Sequence, residues 1–193
     1  MALLRHHIQG FTKRPARSKP VLMNSESLPI LPVDAGAEPA MLALNNRHAV
    51  ELSFLEPERL TRLLGAAFCA RRIGQVEAFL IAFDQDADYD SSNFQWFKAR
   101  YPRFVYVDRV VVDPAARGKG QARRLYHHVF DKAAAGGYPL VTCEVNEQPP
   151  NPASDAFHAA MGFVAIGAAA LPGGAKSVRY FARPIGADPP AST

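Results

Sequence analysis

The sequence predicts one α/β domain built on a mixed sheet, carried between two loose ends. Three observations predict it. The 193-residue chain has an ordinary globular balance, 48% hydrophobic and 21% charged, which supplies enough apolar surface to bury a core. Strand-like and helix-like periods alternate along its middle. The most strand-like segment, residues 104–112, runs straight into a glycine-rich turn and a long amphipathic helix.

Residues 1–40 read as a tail. Pro15, Pro20, Pro29, Pro32 and Pro39 fall there, and no helical or strand period is sustained. The first 25 residues hold Arg5, Lys13, Arg14, Arg17 and Lys19 and no acid. The chain carries a net charge of +4 and a pI near 9.2. Outside those 25 residues, 17 bases face 18 acids, so the basicity belongs to the tail and the body is nearly neutral. Nucleic acid is therefore not expected as the partner of the body. No apolar run approaches the ~20 residues of a membrane helix, so no membrane role is expected. The start lacks the apolar core of a secretory signal. A transit peptide, a true start at Met23 and a plain flexible arm all stay open. Two cysteines, Cys69 and Cys143, make no disulfide framework and point to a reducing compartment, the cytoplasm.

Within residues 41–184 the elements follow in order. Residues 41–44 are a short apolar run ended by Asn45 and Asn46, read as a first strand. Pro57 opens a helix with Leu60, Leu63, Leu64, Ala67 and Phe68 on one face. Residues 77–83 read as a strand, 84–90 as an acidic loop and 94–101 as a short aromatic helix. The strand at 104–112 precedes a helix from Gly118, whose apolar face is Ala122, Leu125, Tyr126, Val129, Phe130 and Ala133 and whose end is Gly136-Gly137. A strand at 140–145, a helix at 154–161 stopped by Gly162, and strands at 163–166 and 178–181 complete the domain. Residues 185–193 read as a loose tail.

The chemistry concentrates in Val110-Val111-Val112-Asp113-Pro114-Ala115-Ala116-Arg117-Gly118-Lys119-Gly120-Gln121-Ala122. Glycines let the backbone turn sharply and expose its amides. The first N–H groups of a helix lack partners within it and favour an anion. Lys119, Arg123 and Arg124 add positive charge, so a phosphate or pyrophosphate is the expected ligand. A nucleotide P-loop fails, because Gly118-Lys119 is followed by Gly120 and Asp113 replaces the first glycine. A dinucleotide fingerprint fails too, because Arg123 stands where close helix–strand packing wants glycine.

What remains resembles the GNAT superfamily of acetyl-CoA-dependent N-acyltransferases. Arg117-x-x-Gly120-x-Ala122 matches the family's [Gln/Arg]-x-x-Gly-x-[Gly/Ala] after a valine-ended strand. Asn151-Pro-Ala-Ser154-Asp-Ala-Phe157-His158-Ala-Ala-Met-Gly162-Phe163 matches a second family element, with His158 in place of its tyrosine. The resemblance implies a mostly antiparallel mixed sheet flanked by helices, acetyl-CoA as co-substrate, and no metal. It implies that the amides of Arg117, Gly118, Lys119, Gly120, Gln121 and Ala122 hold the CoA pyrophosphate, and that the backbone of Val110 and Val112 pairs with the pantetheine arm. Asn151 and Ser154 fall where the family touches that arm, and Ser154 also reads as a helix cap.

An acceptor amine with a pKa of about 10.4 arrives protonated and needs a base. Asp108 falls at the position of the catalytic Glu in the histone-acetylating branch, and alternation puts it on the face of Val110 and Val112 unless a bulge intervenes. A structural pair with Arg109 or Arg103 is the competing role. Glu144 is the other candidate base, on the face opposite Val141, Cys143 and Val145. His158 stands where the family's tyrosine protonates the departing thiolate. Cys143 reads as a buried strand thiol.

The acidic loop Asp84-Gln-Asp86-Ala-Asp88-Tyr89-Asp90 fails the calcium-loop template, with Tyr89 in the glycine position and Gln95 in the glutamate position. It reads either as a solvated acidic turn or as a functional element that lines the acceptor pocket through Asp88, Tyr89, Phe94 and Trp96, attracting and covering a cationic amine on a small molecule or peptide. A homodimer is compatible with the family. The alternative to an acetyltransferase is a non-catalytic acyl-CoA-binding regulatory module; a third reading gives the basic arm nucleic acid to bind.

Overall fold

The computed structural model describes residues 28–50, 52–171 and 176–186; the basic arm at 1–25 and the end of the C-terminal tail lie outside them. The described elements are β1 (Ile30–Pro32), α1 (Glu38–Asn46), α2 (Pro57–Ala66), β2 (Cys69–Ile73), β3 (Ala78–Asp84), α3 (Ser92–Lys98), β4 (Val105–Val112), α4 (Gln121–Ala135), β5 (Leu140–Gln148), α5 (Pro152–Ala160), β6 (Val164–Ala170) and β7 (Ser177–Pro184). The strands form one sheet in the order β1-β2-β3-β4-β5-β7-β6. Its pairs are antiparallel except β4–β5. Alternation along each strand divides the apolar side chains between two layers. Phe79, Ile81, Phe83, Tyr106 and Val111 pack under α1, α2 and α3. Ala78, Leu80, Val105, Val107, Val141 and Cys143 pack under α4 with Leu125, Tyr126, Val129 and Phe130.

Two expectations change. Residues 41–44 are helix, not strand. Ala37, Met41 and Leu44 recur at helical spacing and are buried together, and so short an apolar run does not distinguish the two states. Asn45, read as a stop, is fully buried and donates from Nδ2 to the Ser53 carbonyl at 3.0 Å. Structure also begins before residue 41: β1 pairs with β2, matching Ile30 to Ile73 and Pro32 to Arg71. Pro32 is tolerated because β1 is an edge strand. The strand β2, with consecutive Arg71 and Arg72, shows no clean alternation in the sequence. Pro57 does open α2, and Gly136 and Gly137 close α4, with φ +69° at Gly137.

Two features of β4 build the site. Its ladder with β5 comprises Val105↔Val141 and Tyr106↔Thr142 among the described residues; beyond them the strands part and leave a wedge. Against β3, Ile81 pairs with Arg109 and Ala82 with Val107, so Asp108 is the extra residue of a bulge.

Candidate active site

The wedge opens into two adjoining cavities. The larger, about 560 Å³, is lined by Val110, Val112, Arg117, Gly118, Gly120, Gln121, Ala122, Asn151 and Ser154, together with Phe157 and His158. Every residue expected to hold the cofactor is among these except Lys119, which is exposed on the same turn. Gly118 and Gly120 adopt φ +72° and +73°, and a Cβ built on either meets no atom within 4 Å. The turn is thus an open cradle ahead of α4, and the N-terminal end of a helix suits a diphosphate. Asp113 stabilises the turn by accepting from the Ala115 N–H at 2.9 Å and from Arg47 at 2.7 Å. The α5 cap is Asn151, whose Oδ1 accepts from the Ser154 N–H at 3.2 Å; the capping role considered for Ser154 belongs to Asn151.

The second cavity, about 230 Å³, shares Val110, Val112, Arg117, Asn151, Ser154 and His158 with the first and adds His48, Leu52, Asp108, Arg109, Tyr126, Glu144 and Asn146. The three candidate catalytic groups therefore meet in one space. Their surroundings differ sharply.

Asp108 is paired. Its Oδ2 accepts from Arg109 Nε at 2.5 Å, both side chains are 5% exposed, and Oδ1 accepts from the Tyr89 hydroxyl at 2.5 Å. Arg109 also donates to Asn45 Oδ1 at 2.9 Å. The bulge turns Asp108 toward Tyr89 on the α1–α3 side, away from the face of Val110 and Val112. Its carboxylate is committed to a buried ion pair, and the structural role is the one the geometry favours.

Glu144 is differently held. It faces Tyr106 and away from Cys143 and Val145, as alternation along β5 requires. Tyr106 donates to Oε2 at 2.7 Å and Asn93 Nδ2 donates to Oε1 at 3.0 Å. Burial raises its pKa to about 7, with the nearby Asp108 charge pushing the same way and the two hydrogen bonds opposing. Among the described residues no cation pairs with it.

His158 is 4% exposed. Its Nδ1 lies 2.8 Å from the Ser154 carbonyl, which can only accept, so Nδ1 carries the proton. Nε2 then accepts from the Tyr126 hydroxyl at 2.8 Å. Burial holds the imidazole below its usual pKa. A neutral ring whose Nε2 lone pair is already engaged has no proton ready for a thiolate, so this geometry disfavours the donor role expected of His158.

The four expected acceptor residues lie elsewhere. Phe94 and Tyr89 are buried in the aromatic core with Phe83 and Tyr106. Trp96 stacks on Tyr180 at 4.1 Å beneath Arg100. Asp88 is exposed. None of them lines either cavity. The aromatic density of that segment signals a core, and Tyr89 reaches the site only through Asp108. Sequence reasoning missed Tyr106, Asn93 and Tyr126, which carry no motif, and His48 and Leu52, which approach from the loop after α1. Both cysteines are free and buried, and burial raises their thiols. Among the described residues no helix is long and apolar enough to cross a membrane, and no cluster of His, Cys, Asp or Glu is arranged to hold a metal.

A splayed sheet with a glycine cradle at the mouth of the wedge defines an acyl-CoA transferase fold. Residues 41–163 match the model of the acetyltransferase (GNAT) family, and the chain belongs to that family of acetyl-CoA-dependent N-acetyltransferases. The fold is similar to the ribosomal-protein-S18-alanine N-acetyltransferase of Escherichia coli, at 17% identity and TM-score 0.61, covering 86% of this chain and 98% of that one. It is similar to yncA of Salmonella typhimurium, solved with its cofactor acetyl-CoA, at 21% identity and TM-score 0.59, covering 86% and 99%. Naa20 of Chaetomium thermophilum, in complex with a bisubstrate analogue, gives 15% identity and TM-score 0.63 over 82% and 87%. No curated protein matches the chain in sequence.

Proposed function

We propose that this acetyltransferase moves acetyl from acetyl-CoA to a primary amine of a small molecule or peptide, by direct attack in a ternary complex, with Glu144 as the base. The observation that carries this reading is the Glu144 carboxylate: buried, in no ion pair among the described residues, in the cavity that adjoins the glycine cradle. Gly118, Gly120 and the start of α4 would hold the diphosphate, and the Val110 and Val112 backbone would align the arm so that the thioester reaches the shared end of the two cavities. Glu144 takes a proton from the ammonium, and the freed nitrogen attacks the thioester carbonyl to form the C–N bond. The tetrahedral adduct collapses with cleavage of the C–S bond, the second N–H proton passing to the departing thiolate or to solvent. A thiolate with a pKa of about 8.5 leaves readily, so the engaged Nε2 of His158 is no obstacle. Acceptors such as those of the S18-alanine enzyme, a peptide α-amine, belong to the panel to be tested. Two buried free thiols suit the reducing cytoplasm.

The test is release of free CoA over a panel of amines and peptide N-termini, with Glu144→Gln beside the parent. Turnover with at least one acceptor that the variant loses supports the reading. Undiminished turnover in the variant removes Glu144 from the base role. A second reading is favoured by the engagement of Asp108 and His158 in structural bonds: a module that binds acyl-CoA without transfer. Tight CoA binding with no turnover on any acceptor would support it.

A further inference from the structure

Glu144 on β5 and Tyr180 on β7 are direct register partners and lie on the same side of the sheet. Asn93, near the start of α3, bridges them. The Tyr180 hydroxyl donates to Asn93 Oδ1 at 3.1 Å, and Asn93 Nδ2 donates to Glu144 Oε1 at 3.0 Å. An amide has one accepting and one donating end, and with the Tyr180 hydroxyl donating to its oxygen the N–H end is left to face the carboxylate. Tyr180 is itself fixed, 2% exposed, by stacking on Trp96 at 4.1 Å, and Trp96 lies against Gly167. Tyr106 Oη holds the other carboxylate oxygen.

We propose that Asn93 is a positioning residue for the transfer reaction: oriented by Tyr180, it clamps Glu144 Oε1 from the α3 side and holds the carboxylate toward the cavity in its proton-accepting form. The proposal rests on Glu144 being the base. The amide presents its donor end to the acid, and a hydrogen bond to the charged form of a carboxylate favours that form. Ionisable groups near Glu144 include Tyr106 and Asp108 from β4, Tyr180 from β7, Tyr89 from the loop before α3, Tyr126 from α4 and Cys143 on its own strand; Arg109, Arg117, His48 and His158 line the same cavity. Burial and the Asp108 charge oppose its ionisation, and the Asn93 and Tyr106 donors work against them.

Two measurements on the full chain test this. The first is the pH profile of kcat/KM for the parent, Asn93→Leu, Asn93→Asp and Tyr180→Phe. The second is direct titration of the Glu144 carboxyl by 13C NMR, assigned by its loss in Glu144→Gln. Removing the amide donor should move the Glu144 midpoint and the acidic limb upward by about one pH unit, the scale of a hydrogen bond to a charged group. Asn93→Asp, which adds a carboxyl, should move them further. Tyr180→Phe, a deletion of one oxygen that keeps the stack on Trp96, should move them in the same direction by less. Loss of activity should be greater near pH 6 than near pH 8, which a general packing defect would not produce. An unmoved NMR midpoint in Asn93→Leu and Tyr180→Phe overturns the proposal, whatever happens to the rate. Undiminished activity in Glu144→Gln overturns the base assignment instead, so the two failures are separable.

Discussion

Asp108 and Arg109, adjacent in sequence, close a 2.5 Å ion pair on the same side of the sheet. Adjacent residues of a regular strand point to opposite faces. The bulge at Asp108 cancels that alternation and aims both side chains at Tyr89 and Asn45. A buried pair tolerates loss of one partner poorly, because the other charge is left uncompensated. Asp108→Asn should therefore lower the unfolding free energy by about 3 kcal/mol or more. Adding Arg109→Leu should recover part of that loss. Urea denaturation of the two single variants and the double variant measures both effects. Activity per folded molecule should survive in Asp108→Asn.

Glu144 governs pH dependence in two ways. Its acidic limb in kcat/KM should fall near pH 7, and Glu144→Gln should remove the limb with a rate loss of roughly 10²–10⁴-fold. A folded pKa raised above the unfolded value of 4.5 also contributes stability that is present below 4.5 and lost as pH rises through about 7. That contribution is of order 3 kcal/mol. Stability of Glu144→Gln measured against pH should lack this decline.

A Cβ added at Gly118 or Gly120 meets no protein atom within 4 Å, so side chains added there act mainly on the ligand. Gly120→Val should cost about 1–2 kcal/mol in backbone strain at its left-handed φ. Its added atoms occupy the space proposed for the diphosphate. Isothermal titration should show CoA affinity reduced by about tenfold or more. Unchanged affinity would remove the turn from the cofactor site.

Tyr126→Phe deletes the donor to His158 Nε2 and should cost about 1–3 kcal/mol for the buried acceptor left unpaired. The parent imidazole is held neutral, below its ordinary 6.5. Its contribution to stability is present above pH 6.5 and lost as pH falls through the lowered folded value. Replacing His158 with Gln should weaken this acid sensitivity, as read from thermal melts across that range.

Gly167 leaves room for the indole of Trp96: a Cβ there would sit 2.8 Å from Cζ2. Gly167→Leu should cost about 1–3 kcal/mol through overpacking. Displacing Trp96 from Tyr180 should shift the emission of the chain's single tryptophan.

The family, the cradle and the helices around it were legible because their signals are local. Gly118 and Gly120 carry their conformational requirement with them, Pro57 and Gly136-Gly137 mark helix ends, and the apolar face of α4 recurs at a fixed period. The 41–44 run was misread because four apolar residues fit either state until Ala37 and Leu60 are seen packing around them. The aromatic segment 89–97 was misread as a pocket because composition does not distinguish a lining from a core.

The chain alone determined that a strand meets a glycine turn and a helix start, since those depend on torsion preferences and amides a few residues apart. Which carboxylate is taken up by an ion pair was decided only by the folded sheet. Asp108 and Glu144 are both acids on strands, and one inserted residue in β4 hands the first to Arg109. The divergence of β4 from β5 leaves the second facing the cavity with Asn93 and Tyr106 for neighbours. Pairing register and burial set the partners of each, and both arise from contacts between segments far apart in sequence.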